Sequence, residues 1–366
     1  MKERQQDASN QHGGNIYGAD GQPLPWLDFS ANINPLGLSP QVRQAMIHSL
    51  DEVTAYPDPQ GRRLRQVIGA FYHLPLENLL LGNGAAELFY CFFYAVHPKR
   101  VHLLAPCFSE YERAARAAGA QIIVKELSED KNFQIDLAQA TADLRPKDVL
   151  VLCNPNNPTG TLLSRANLLT CIQEAQKQGA WVLADESFLD FCPDANERTV
   201  KDLATRYENL CVIQSMTKFY AIPGLRLGFA VLPVPLRAHM ESMKDVWSVN
   251  VLAQNAGVAA LADDKYQQAT RDFMATEKTF VSQKLQQFEG IKVYPPAVNF
   301  VLFRLPVAVR NHTQAIVQQF RAHGILVRDC ANYQGLGAGY LRMAVRTRAE
   351  NLRFFTAMKE IFEGSF

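Results

Sequence analysis

Long hydrophobic runs are missing from this 366-residue chain. The longest, "LFYCFFYAV" at 88–96, is too short to cross a bilayer as a helix. The opening "MKERQQDASNQHGG" lacks the apolar stretch of a signal peptide, so a soluble, cytoplasmic protein is expected. Charge excess is missing too. With 37 Lys and Arg against 36 Asp and Glu and no basic block, nucleic acid and membrane surfaces are poor partners, and a small molecule is the better one. The seven cysteines are odd in number, scattered through apolar runs and free of any CxxC pair. They read as reduced core thiols, and neither disulfides nor a metal site is expected. No repeat, low-complexity segment or Gly/Pro/Ser-rich linker interrupts the chain.

What is present is an alternation. Short apolar runs, "RVHLLA", "AQIIVKEL", "DVLVLC", "AWVLAD", "NLCVIQ" and "RLGFAVL", are mostly separated by segments of helical period such as "SRANLLTCIQEAQKQG". This predicts an α/β protein with a mostly parallel sheet flanked by helices. From about residue 265 the texture changes to one long charged helix, then strand, helix, strand, strand, helix. Residues 45–265 are therefore expected to form a large domain, and 1–44 with 266–366 a small α+β domain.

Ligands of open α/β sheets gather beyond the carboxyl ends of the strands, and the unusual residues lie there. "NPNNPTG" (154–160) follows one buried run; it is a turn first, but it can aim amides inward. Asp185 ends another run, where a carboxylate needs a cation, a capping role or a salt bridge. "SMTKFYAIPGLRLG" (215–228) follows a third, with Ser215, Thr217, Lys218 and Arg226. Hydroxyls and a guanidinium suit a phosphate, although a lone lysine more often sits in solvent. The small residues Gly84, Ala85 and Ala86 open a helix whose N-terminal N–H groups attract anions, or simply make a tight turn.

Together these segments resemble the fold-type-I pyridoxal-phosphate enzymes of the aminotransferase class I and II superfamily, which implies that fold. The resemblance implies that Lys218 carries pyridoxal 5'-phosphate as a Schiff base and that Asp185 pairs with the pyridine nitrogen. It also implies that Asn157 bonds the phenolate oxygen, and that Ser215, Thr217, Arg226 and the backbone at 84–86 hold the phosphate. Tyr56 matches a tyrosine that reaches the neighbouring subunit's cofactor, implying a homodimer with shared sites. One departure is Phe188, where the superfamily usually has tyrosine.

The reaction depends on what anchors the substrate. Arg342 in "YLRMAVRT" stands where the family binds a carboxylate. Strand alternation would put Arg346 on its face, and Arg328 in "GILVRDC" lies nearby in sequence. Three cations suggest a dianionic, phosphorylated amino acid; the plain alternative is strand-end arginines in surface salt bridges. "HGGN" (12–15), "LDFSANINPLG" (27–37) and "LRMAVRT" resemble the L-threonine O-3-phosphate decarboxylases of cobalamin synthesis more closely than the histidinol-phosphate aminotransferases. That implies decarboxylation to (R)-1-amino-2-propanol O-2-phosphate, the nucleotide-loop linker of adenosylcobalamin. Arg342 is then the carboxylate ligand, and His12, Asn32 and Arg328 or Arg346 are candidates for the phosphate. An aminotransferase acting on a phosphorylated amino substrate is the alternative.

Overall fold

The computed structural model describes residues 12–365, so most of the polar N-terminal stretch lies outside the described residues. Thirteen strands are described: β1 Leu27–Asp28, β2 Leu79–Gly82, β3 Arg100–Ala105, β4 Gln121–Glu126, β5 Asp148–Cys153, β6 Trp181–Asp185, β7 Leu210–Ser215, β8 Gly228–Val231, β9 Lys292–Val293, β10 Phe300–Arg304, β11 Ile325–Leu326, β12 Arg328–Asp329 and β13 Tyr340–Ala344. Seven of them form one sheet in the order β2-β8-β7-β6-β5-β3-β4. Its central strands β5 and β7 are buried at every residue, because helices cover both faces and no position is left to alternate. The edge strand β4 is only partly buried and carries Lys125 and Glu126, charges that discourage a further strand from pairing.

The pairs β3–β4, β3–β5, β5–β6 and β6–β7 are parallel, as the alternation of runs and helices requires. Strand β8 runs antiparallel between β2 and β7. A strand buried on both faces reads the same in either direction, so its sequence gives no sign of this.

A second sheet, β12-β13-β10-β9, is antiparallel throughout. The helix Asp264–Gln286 leads into it from the first sheet, capped at its start by the Asp263 side chain on Tyr266 N–H. "GILVRDC", read as one strand, divides at Val327: β11 pairs in parallel with β1, and β12 pairs with β13. That pairing brings the N-terminal segment onto the second sheet, where Phe29 O accepts from Ala344 N–H at 2.8 Å. Glu129, beyond β4, joins the sheets by accepting from Tyr294 Oη at 2.5 Å, Lys292 Nζ at 3.1 Å and Arg304 Nη1 at 2.5 Å. Among the described residues no helix is long and apolar enough to cross a membrane.

Candidate active site

The register of the large sheet assembles the site. Cys153 pairs with Asp185, and Asp185 with Ile213, so the parallel strands β5, β6 and β7 end side by side. On the other flank Ser215 pairs with Gly228, and Gly228 with Gly82. The start of the helix Gly84–Val96, the Arg226 loop and the Ser215 turn therefore meet at one point.

Close backbone approach at that point demands glycine. A Cβ on Gly228 would lie 2.9 Å from both Ala85 N and Gln214 O, and one on Gly84, whose φ is +78°, would lie 2.4 Å from Arg226 Nη2. The Asn83 side chain does not cap the helix, so its first-turn N–H groups point outward without intrahelical partners. Ser215 Oγ and Thr217 Oγ1 stand 2.7 Å apart, both buried, and the Arg226 side chain completes the ring from an exposed loop. Two hydroxyls, a guanidinium and helix N–H groups form a donor set that fits a phosphate.

Lys218 Nζ donates to Ser215 Oγ at 3.0 Å. Part of its side chain is accessible, but the amine itself is packed among protein atoms, and that packing governs its titration. Burial pushes it down to about 8, with Asp185 pulling it partly back and Arg226 lowering it further. Such an amine is a good nucleophile near neutral pH. Phe188 presents its ring 5.7 Å from Nζ and packs on Phe300 at 5.2 Å, so the wall beside the amine is apolar.

Asp185 is 4% exposed, its Oδ1 accepting from Ser187 N–H at 2.9 Å and its Oδ2 from Tyr111 Oη at 2.5 Å. No lysine or arginine is hydrogen-bonded to it among the described residues, so its charge is available to a ligand cation. Asn157, buried after β5, accepts at Oδ1 from Arg342 Nη1, which leaves its amide nitrogen as the donor.

Arg342 and Arg328 are register partners on β13 and β12, 4% and 8% exposed. Arg342 Nη2 also donates to Ser30 O at 2.6 Å, while Arg328 Nη2 donates to Asn332 Oδ1 at 2.9 Å and its guanidinium lies over the Tyr333 ring. Arg328, Asn332 and Tyr333 line a cavity of about 90 Å³ whose opposite wall is Cys107, Phe108 and Ser109, at the end of β3.

Arg346 corrects the alternation argument. Strand β13 stops at Ala344, so the two-residue period does not reach it. It bonds Glu350 at 2.7 Å and Asp28 O at 3.2 Å instead.

The N-terminal segment closes this side. Gly13 and Gly14 lie on Ser30, where a Cβ on Gly13 would meet Ser30 O at 2.1 Å, and Gly14 N–H donates to Ser30 Oγ at 2.8 Å. This sets His12 against Phe108, with Nε2 at 2.9 Å from Glu110 Oε1. Asn32 is buried, and its Oδ1 has no hydrogen-bond partner among the described residues. Asn34 fixes the segment to the lysine loop through Lys218 O at 3.1 Å and Phe219 O at 2.8 Å. Tyr56 stands apart from this cluster, 77% exposed and stacked on Trp247.

Sequence reasoning missed Tyr111, Ser30 and Glu110. Ser30 lies within the motif "LDFSANINPLG" but is not singled out there, and Tyr111, in the first turn of the helix after β3, reads as ordinary core.

A family model described as aminotransferase class I and II matches residues 25–358. The chain is 36% identical over 358 residues to the threonine-phosphate decarboxylase of Salmonella typhimurium strain LT2, covering 96% of this chain and 97% of that one. Its structure is similar to the crystal structure of the histidinol-phosphate aminotransferase of Clostridium acetobutylicum, with TM-score 0.85, 26% identity and coverage of 92% and 98%. It is also similar to that of the L-threonine-O-3-phosphate decarboxylase of Porphyromonas gingivalis, with TM-score 0.80, 25% identity and coverage of 92% and 99%.

Proposed function

The chain belongs to the aminotransferase class I and II family, and from that premise we propose that it decarboxylates L-threonine O-3-phosphate to (R)-1-amino-2-propanol O-2-phosphate. It is a pyridoxal-phosphate enzyme. When bound, pyridoxal 5'-phosphate supplies an electron sink for the charge left at Cα as carbon dioxide departs.

The chain's own residues do the rest. Ser215, Thr217, Arg226 and the N–H groups of Ala85 and Ala86 hold the cofactor phosphate. Asp185 would receive the pyridine nitrogen, and the Asn157 amide would donate to the phenolate oxygen. Lys218, whose amine burial holds at about 8, would carry the cofactor and, once free as an amine, would be the group placed to donate a proton to Cα.

The observation that carries the reading is the buried pair Arg328 and Arg342, register partners on neighbouring strands. A substrate with one anionic group needs one such cation; threonine phosphate, with a carboxylate and a phosphate, needs two. We assign Arg342 to the carboxylate, because it also touches Asn157 at the cofactor's edge, and Arg328 with His12 and Asn32 to the phosphate. Arg346, neutralised by Glu350, is left out of the anion site and given the task of holding the Asp28 backbone. Arg342 has to restrain the carboxylate's direction without overstabilising the ground state.

The active assembly is proposed to be a homodimer in which Tyr56 reaches the partner's cofactor phosphate. Tyr56, Trp247, Ile47, Leu50 and Val53 are large apolar side chains left exposed on one protomer, a composition suited to a buried contact. Incubation with L-threonine O-3-phosphate and no 2-oxo acid, followed by phosphorus NMR, tests the activity through the appearance of the aminopropanol phosphate. Transamination of a phosphorylated amine is the second reading, favoured by the similarity to the C. acetobutylicum enzyme.

A further inference from the structure

We propose that Tyr111 is a positioning residue for Asp185, holding that carboxylate in the orientation in which it receives the cofactor's ring nitrogen. The inference rests on the pyridoxal-phosphate reading but not on the choice of reaction.

Strand β5 lies between β3 and β6, so a residue following β3 must cross its carboxyl end to reach Asp185. Tyr111, in the first turn of the helix Glu110–Ala117, makes that crossing. Its hydroxyl lies 2.5 Å from Asp185 Oδ2 and passes Cys153, the residue in register with Asp185. The ring is fully buried, edge-on to Phe89 at 5.1 Å and to Phe108 at 5.7 Å. Burial, then the charge of Asp185, pushes the phenol well up, so the hydroxyl keeps its proton and donates at every working pH.

Asp185 is thus held at both oxygens by neutral donors, Tyr111 Oη and Ser187 N–H. Neither donor neutralises the carboxylate as an arginine would, and together they fix its plane. The ring of Tyr111 is also linked to the substrate side, because Phe108 touches both Tyr111 and His12.

Tyr111→Phe keeps the ring and its packing and removes only the donor. Pyridoxal 5'-phosphate binding to the apoprotein, followed by visible absorbance, is the readout, and it does not depend on which reaction the enzyme performs. Y111F is expected to raise the dissociation constant roughly tenfold, within the range typical of lost outer-shell hydrogen bonds. In a D185N background the same change should add less than about twofold, because the two residues act as one unit. Wild-type affinity in Y111F, or a tenfold loss that persists in full on D185N, overturns the proposal. Should Y111F not fold, Y111H decides the matter. An imidazole N–H restores the donor, so affinity within about threefold of wild type supports the proposal and a loss beyond tenfold refutes it. Failure of the wild-type protein itself to bind the cofactor would instead refute the pyridoxal-phosphate reading.

Discussion

Adding one methyl group at Gly228 should loosen the cofactor without touching any residue that contacts it through a side chain. The Cβ of Gly228→Ala would lie 2.9 Å from Gln214 O, 2.9 Å from Ala85 N and 3.1 Å from Gly84 C. All three are backbone atoms, so no rotamer change relieves the contact. Restoring a separation of about 3.5 Å requires the start of the helix Gly84–Val96 to withdraw from β8, and so from its neighbour β7, by roughly half an ångström. Ser215 and Thr217 stay with β7 while the N–H groups at Ala85 and Ala86 move, so hydrogen bonds of about 2.9 Å to a shared phosphate stretch toward 3.4 Å and weaken. Overpacking of this kind costs about 1–3 kcal/mol of stability. A loss of about 1.4 kcal/mol in cofactor binding would appear as a tenfold rise in Kd. Spectrophotometric titration of the apoprotein with pyridoxal 5'-phosphate measures the Kd, and urea denaturation the stability. Gly337→Ala, where a Cβ meets nothing within 4 Å, is the control and should change stability by less than about 0.5 kcal/mol. A G228A protein with wild-type stability and wild-type Kd would refute the cradle geometry.

Further outcomes follow from the same geometry. Lys218 titrates at about 8 in the fold against an ordinary 10.5. Cofactor uptake by the apoprotein, which needs the neutral amine, should therefore accelerate with pH and level off above about 8. The same lysine disfavours the fold most fully below about pH 8 and is relieved as pH rises toward 10.5, so wild-type apoprotein should gain stability relative to K218M across that window. Replacing Arg328 with Gln should raise KM for threonine phosphate about 10- to 100-fold with kcat little changed, the loss of one charge-assisted bond. The fully buried pair Glu186–Lys201, at 2.6 Å, predicts that Lys201→Met alone costs about 3–5 kcal/mol in urea, and that adding Glu186→Gln recovers part of it. A K201M protein as stable as wild type would show that the pair is not desolvated.

The parallel half of the large sheet was legible because short apolar runs alternate with segments of helical period. Asp185 and Ser215 stand at the carboxyl ends of two of those runs, where the strand-end rule looks for a site. The antiparallel insertion of β8 was not legible, since full burial erases the alternation that would show direction. Gly228 was equally silent. Its necessity comes from two strands and a helix closing on one carbon, a relation that no local pattern encodes. Arg342 and Arg328 were found as residues, but their adjacency is a matter of register. Arg346 was misread because alternation was extended two residues past the end of β13. Tyr111 escaped because a buried tyrosine near a helix start is ordinary until its hydroxyl is seen to end on Asp185.

Carbon dioxide counted against cofactor tests the central claim most directly. Holoenzyme given carboxyl-labelled L-threonine O-3-phosphate, with no 2-oxo acid present, should release label through many turnovers while the cofactor stays in its pyridoxal form. Conversion of the cofactor to pyridoxamine phosphate with no label released would contradict it.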